Sequence, residues 1–177
     1  VRPTLESFDQ QIEQRKSFPS SSREILASVL REQYDQSGIE DPSTFRLIDT
    51  LRSADTFTVT TGQQTGILLG PMYTALKILS TISLSRKLKE MHPSKNFVPV
   101  FWMATEDHDI AEINHAYVKA KKLKWNTEQT GAAGRLNTSD AQDWLNEFAQ
   151  LAGSSEDAKA IILSLIHISE PTRQAEI

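Results

Sequence analysis

The chain of 177 residues contains no cysteine, which excludes a disulfide framework, a cysteine-based zinc site and a thiol nucleophile within it. It has no surplus of positive charge. Nineteen Lys and Arg against 23 Asp and Glu leave a net charge of −4, without the basic footprint that grips a phosphate backbone, so no nucleic-acid partner is expected. Long hydrophobic runs are also missing. The longest, Phe97–Ala104, is interrupted by Pro99 and falls far short of the roughly 20 residues a spanning helix needs. No basic-then-apolar leader opens the chain, so no membrane partner is expected and a cytoplasmic location is the default. What is present is ordinary: 38% hydrophobic and 24% charged residues, a globular balance that argues against wholesale disorder. At roughly 150 residues per domain the length holds one domain, or one and a part.

Both ends carry expectations of their own. Residue 1 is Val, and the sequence starts directly in helical pattern, so the natural start is expected upstream. Leu163–Ile177 resembles the in-frame translation of a transposase-type sequencing adapter, and foreign segments are set aside from fold reasoning. The competing reading is an amphipathic helix that ends near Glu170, because Pro171 forbids continuation. His167 is therefore given no role, and the native chain is expected to be cut just after Ile162.

Between these ends the pattern changes from helical to alternating. Leu5–Lys16 carries Leu5, Phe8 and Ile12 at helical spacing, and Ser21 with Glu24 forms a capping-box signature for a second helix. That helix has Ile25, Val29 and Leu30 on one stripe and runs out before Gly38, a fitting C-terminal glycine. Pro42-Ser43 opens a third through about Arg52. Thr56–Thr61 alternates β-branched and apolar residues, a strand signature that Gly62 is expected to stop. Pro71 suits a helix start. Apolar side chains at 72, 75, 76, 79 and 82 then follow the 3.6-residue period to about Met91. Phe97–Ala104 reads as a central parallel strand buried on both faces. Strand, helix and strand make a βαβ unit, nearly always right-handed. Further on, Ile113–Val118 is a short strand, and the lysines of Lys119–Lys124 read as a solvated strand end or turn rather than a phosphate-binding patch. Gly131–Gly134 is a loop, and Ser139 with Gln142 is a capping box for a helix that Gly153 closes. Trp102, Trp125 and Trp144 read as packing residues.

Polar residues crowd the ends of the two best strands. Gln63-Gln64-Thr65-Gly66 leads through Gly70-Pro71 into a helix whose first turn carries Thr74. Glycines let a backbone approach a ligand closely, and a helix start offers N–H groups to an anion. The segment matches neither a Walker A loop nor a dinucleotide fingerprint. Its bland reading is a turn whose glutamines bond backbone. Lys77, two turns into the helix, can reach an anion, though surface lysines are commoner. After the second strand comes Glu106-Asp107-His108-Asp109. If the chain stays extended there, Glu106 and His108 share one face and the two aspartates the other. Carboxylates around an imidazole favour its charged form and orient it for acid–base work; the bland reading is a helix cap by Asp107 or Asp109. A metal set that adds His115 ranks below a metal-free site, because the spacing matches no recognised ligand pattern. In open α/β sheets ligands sit beyond the carboxyl ends of the strands, and a right-handed βαβ unit brings both segments to that edge.

At these two segments the sequence resembles the bacillithiol biosynthesis cysteine-adding enzyme family, BshC. The matching residues are Thr61-Gly62-Gln63-Gln64-x-Gly66, Gly70-Pro71-Met72-Tyr73-Thr74 with Lys77, and Pro99-Val100-Phe101-Trp102 running into Glu106-Asp107-His108-Asp109 and Glu112-Ile113-Asn114-His115. The similarity covers about residues 1–162. It implies an α/β fold: residues 1–54 as an N-terminal helical lead-in, and 55–162 as the first part of a Rossmann-like parallel sheet. It also implies a coiled coil, beyond this sequence, that makes the full-length protein a homodimer. The implied reaction joins the carboxyl of cysteine to the amine of glucosaminyl-malate, with ATP or ADP as the nucleotide and no metal. Under that resemblance His108, Glu106, Asp107 and Asp109 are the catalytic candidates. Gln63, Gln64, Thr65, Gly66, Gly70, Thr74, Lys77 and Asn114 are the substrate-binding candidates. A fragment of such an enzyme is expected to be inactive alone. Two other readings stay open: a binding module for a sugar acid or nucleotide, and a metal-dependent hydrolase.

Overall fold

A computed structural model describes residues 4–38, 41–67 and 70–169, with side chains through Leu163. The segment from Leu163 onward thus falls largely outside the described residues. By contact the chain divides into two compact units, residues 1–61 with 77–101, and 62–76 with 102–177.

The first unit opens on three helices, α1 (Ser7–Arg15), α2 (Ser20–Gln36) and α3 (Pro42–Thr50). The capping box at the head of α2 does not form. Pro19 occupies the cap position without a side-chain bond, and the Glu24 carboxylate is drawn instead to Arg52. Nor is the Ile25–Val29 stripe the buried one: those residues are 65% and 44% exposed. Helix α2 turns Arg23, Ala27, Leu30 and Tyr34 inward, a true i, i+4, i+7 face. Ala27 meets Ile48 and Leu51 from the α3 region and Val98. Gly38 takes φ +67°, the left-handed turn expected after a helix. Helix α3 is capped by Asp41, whose carboxylate accepts from the N–H groups of Ser43 and Thr44 at 3.0 and 3.1 Å. Bonds from the Ser43 hydroxyl, then the Thr44 hydroxyl and the Ser43 N–H, hold the Asp41 carboxyl well below its usual range.

Strand β1 (Thr56–Gln64), helix α4 (Met72–Met91) and strand β2 (Asn96–Ala104) follow, with the two strands paired in parallel. The fold is thus α/β with N-terminal helices, as expected. Gly62 does not stop β1. A Cβ there would lie 3.0 Å from the Trp102 carbonyl oxygen and 3.1 Å from Trp102 Cβ, so glycine lets β1 run past β2 to Gln64. The expectation that β2 is buried on both faces fails at its end, where Trp102 and Met103 are 62% and 59% exposed. Burial on both faces requires neighbours on both sides, and among the described residues β2 has only β1 beside it. Helix α4 is a further correction. Met72, Leu76 and Leu79 lie outward, while Thr74, Thr81, Ser85 and Leu88 are buried. Two of those hydroxyls are satisfied within the helix, Thr81 Oγ1 donating to the Lys77 carbonyl at 2.8 Å and Ser85 Oγ to that of Thr81 at 2.9 Å. Among the described residues no helix is long and apolar enough to cross a membrane.

The second unit is built on a hairpin. Short helix α5 (Ile110–Ile113) leads into β3 (His115–Val118), which pairs antiparallel with β4 (Lys121–Lys124), Ala116 facing Leu123. The connection is two residues long, Lys119 and Ala120, both at positive φ (48° and 64°). That is the backbone of a primed hairpin turn, normally made by Asn-Gly. Helices α6 (Gln142–Ala152) and α7 (Glu156–Ser169) complete the unit. Its core gathers Ile113, Leu123, Trp125, Trp144, Leu145 and Phe148, with the Trp144 and Phe148 rings stacked at 5.7 Å. Two of the three tryptophans are therefore core, and Trp102 is not.

The Ser139–Gln142 capping box is also absent: α6 has no side-chain cap, and the Gln142 amide bonds Asn146. The turn before α6 is held by Asp140 instead. Its carboxylate accepts from Trp125 Nε1 at 2.8 Å, Thr127 Oγ1 at 2.8 Å and Gln129 Nε2 at 3.1 Å. Desolvation raises the Asp140 pKa, but those three bonds outweigh it and the net shift is downward. A carboxyl with a lowered folded-state pKa contributes stability that is present above its unfolded value, about 3.9, and lost as pH falls through the folded one. Asp140→Ala is accordingly expected to cost about 1 kcal/mol at pH 7, the size of a solvent-screened hydrogen-bond set. The gap to wild type should shrink as pH drops below about 4. Urea denaturation at both pH values checks it, and a pH-independent gap would contradict the network.

Candidate functional site

The candidate residues lie almost entirely in the second unit, where three stretches of backbone converge. The first begins at Gln64, the last residue of β1. Successive strand residues point to opposite faces, so Gln63 and Gln64 cannot serve one ligand in the same way. Gln64 Nε2 donates to Asp107 Oδ2 at 2.5 Å. Beyond it the chain closes on itself: the Gly70 N–H donates to the Ile67 carbonyl at 3.0 Å, and a Cβ on Gly66 would lie 3.0 Å from Gly70 Cα. Gly70 sits at φ +70°. The two glycines are thus demanded by the loop's own closure, a requirement separate from ligand approach.

This loop leaves two hydroxyls unsatisfied. Thr65 Oγ1 and Thr74 Oγ1 are buried without a hydrogen-bond partner, Thr74 being 2% exposed in the first turn of α4. Buried polar groups without partners cost roughly 1–3 kcal/mol each and ask for an explanation. Two such donors flanking one glycine loop suit an oxygen-rich ligand. Lys77, one turn further along α4, is half-buried and belongs to the other unit.

The second stretch follows β2. It does not stay extended, as the shared-face reading of Glu106 and His108 required. The Asp107 N–H reaches back to the Ala104 carbonyl at 3.4 Å, and that of Thr105 to Met103 at 2.9 Å, so the chain turns at once. Asp107 Oδ1 accepts from the Asp109 N–H at 3.1 Å, which leaves both its oxygens engaged. The Gln64 amide, then the Asp109 N–H, hold its carboxyl below the usual carboxylate range. Asp109 caps α5 through the Glu112 N–H at 3.3 Å. Asn114 is 7% exposed; its N–H closes α5 on Ile110 at 2.9 Å and its carbonyl receives the Trp125 N–H at 2.7 Å. Both aspartates and Asn114 therefore fix the loop. Glu106 and His108 are left exposed at its surface, as the groups of this segment open to proton transfer.

The third stretch was not singled out in the sequence. The Ala133 N–H donates to the Asp107 carbonyl at 2.8 Å and that of Gly134 to Thr105 at 2.9 Å. A Cβ on Gly134 would lie 2.7 Å from Thr105 Cβ, so only glycine allows this approach. The signal was the Gly131–Gly134 spacing, which reads as any loop when its partner is unknown.

Among the described residues no group of three His, Asp or Glu is placed to hold a metal ion. His115 Nδ1 is buried without a partner, and its ring meets Tyr117 edge-on at 5.8 Å.

Comparison with known proteins follows the same lines. A family model described as "Bacillithiol biosynthesis BshC, N-terminal Rossmann-like domain" matches residues 1–175. A Flavobacterium johnsoniae protein named "Putative cysteine ligase BshC" is 45% identical over 160 residues, covering 90% of this chain and 30% of its own. Proteins of the same name from Flavobacterium psychrophilum and Cytophaga hutchinsonii are 44% identical over 161 residues and 40% over 172, covering 90% and 97% of this chain. The chain spans 30 to 32% of the length of these relatives.

Proposed function

The chain belongs to the bacillithiol biosynthesis BshC family, within its N-terminal Rossmann-like domain, and on that premise we propose that the full-length protein joins the carboxyl of cysteine to the amine of glucosaminyl-malate. The relatives are named as cysteine ligases, and a ligase that joins a carboxyl to an amine has one general difficulty. The carboxylate oxygen is a poor leaving group until it is activated. ATP, when bound, would supply that activation. The residues here that suit its phosphate, or a substrate carboxylate, are Thr65 and Thr74, whose buried hydroxyls lack partners. Preorganised donors of this kind stabilise charge as it develops.

The chain's own groups then divide the work. The amine nitrogen bonds to the carbonyl carbon, the activated oxygen leaves with its electron pair, and the nitrogen's extra proton passes to a base. His108 takes that role, with Glu106 two residues before it; both are exposed, as proton transfer to an incoming substrate requires. Gln64 and Asp107 hold the loop that presents them. The observation that carries this reading is the Gln64–Asp107 bond, which ties the end of β1 to the turn after β2. The same reading makes the full-length protein a cytoplasmic homodimer and leaves the 177-residue chain inactive by itself.

The test is direct. Purified full-length protein, given cysteine, glucosaminyl-malate and ATP, should yield a product whose mass equals the two substrates less one water. Binding of glucosaminyl-malate without any product would instead make it a capture module and overturn the ligase reading.

A further inference from the structure

The first unit holds a cavity of about 360 Å³, within the size range of small-molecule pockets, that the proposed ligase chemistry does not use. Two cations line it, Arg15 at the end of α1 and Arg23 on α2, together with Phe18, Leu26 and Leu51 and residues Thr56, Phe57, Thr58 and Thr60 of β1. Arg23 is 6% exposed. Its Nη1 donates to the Leu51 carbonyl at 3.3 Å and the Thr56 carbonyl at 2.9 Å, and its guanidinium lies 5.5 Å from the Phe18 ring centre. These contacts orient the side chain without neutralising it. Its Nε has no hydrogen-bond partner, and among the described residues neither Arg23 nor Arg15 forms an ion pair.

A guanidinium is always charged and carries five donors in a planar fork that matches a carboxylate. Burying one without a counter-charge is costly. A second arginine at the same cavity adds to the positive potential, and Phe18, Leu26 and Leu51 give an apolar body somewhere to pack. We propose that this cavity binds a small organic carboxylate, its charged end toward Arg15 and Arg23 and its apolar body against Phe18 and Leu26. The inference rests on the first unit alone and stands or falls separately from the ligase reading.

Benzoate is the probe, with acetate as a charge-only control and benzyl alcohol as a shape-only control, each titrated into full-length protein by calorimetry. Benzoate should saturate at one site per chain and bind at least tenfold more tightly than either control, since each lacks one of the two contacts. Arg15→Gln, at an exposed position, should keep the fold and weaken benzoate about tenfold, the scale of one charge-assisted hydrogen bond. Arg23→Lys keeps the charge but loses the fork, and should weaken it at least as much. No saturation, an unchanged affinity in Arg15→Gln, or equal affinity for benzyl alcohol would each overturn the proposal.

Discussion

Full-length protein carrying His108→Ala is expected to turn over at least a hundredfold more slowly than wild type, with KM for both substrates little changed. A positioned base contributes typically 10²–10⁴ to a rate, and the site offers few alternatives for that role. Asp107 has both oxygens engaged, by Gln64 and by the Asp109 N–H, and its lowered pKa makes it a poor proton acceptor near neutrality. Asp109 is committed to the cap of α5. A loss confined to kcat indicates a transition-state role. Added imidazole should restore part of it, which a merely structural defect would not permit. Activity within twofold of wild type would remove His108 and pass the assignment to Glu106. Asp107→Asn separates presentation from chemistry, because it keeps the shape while weakening the bond from Gln64. It should lower the rate without responding to imidazole.

How much of this site could be read in the sequence depends on whether a residue's partner is near or far along the chain. The helix over Met72–Met91, the glycine after α2 and the βαβ order follow from local pattern, and the structure carries them. The two polar segments were legible as a pair because the strands of a βαβ unit run parallel, which puts their carboxyl ends on one edge. What failed was long-range competition. Glu24 and Gln142 have the capping-box spacing but bond Arg52 and Asn146 instead. Gly62 looks like a strand stop until Trp102 is placed beside it. Met72, Leu76 and Leu79 have the spacing of a buried apolar stripe yet lie outward, because periodicity gives a face without saying which face is covered. Gly134 shows the same limit from the other side: its need for glycine comes from Thr105, 29 positions earlier, and nothing local announces it.

The hairpin of the second unit offers the other large effect. Leu123 is fully buried at 0% exposure, between lysines at 122 and 124 that face solvent, so β4 is anchored by one side chain. It lies opposite Ala116, too small to fill the space a truncation would open, and shares its cluster with Trp125, Trp144 and Phe148. Leu123→Ala should therefore destabilise the unit by about 3–4 kcal/mol, inside the usual range for a leucine whose cavity cannot collapse. Lys122→Ala on the same strand should shift it by less than about 0.5 kcal/mol. Against a typical total of roughly 5–15 kcal/mol, the first loss reaches beyond stability. Trp125, two residues on, donates its N–H to the Asn114 carbonyl, and the Asn114 N–H closes α5, whose cap is Asp109. Loosening β4 therefore loosens the loop that carries His108. Urea denaturation measures the first effect and kcat of the full-length variant the second. A change below 1 kcal/mol in Leu123→Ala would mean that the hairpin is not what holds this loop in place.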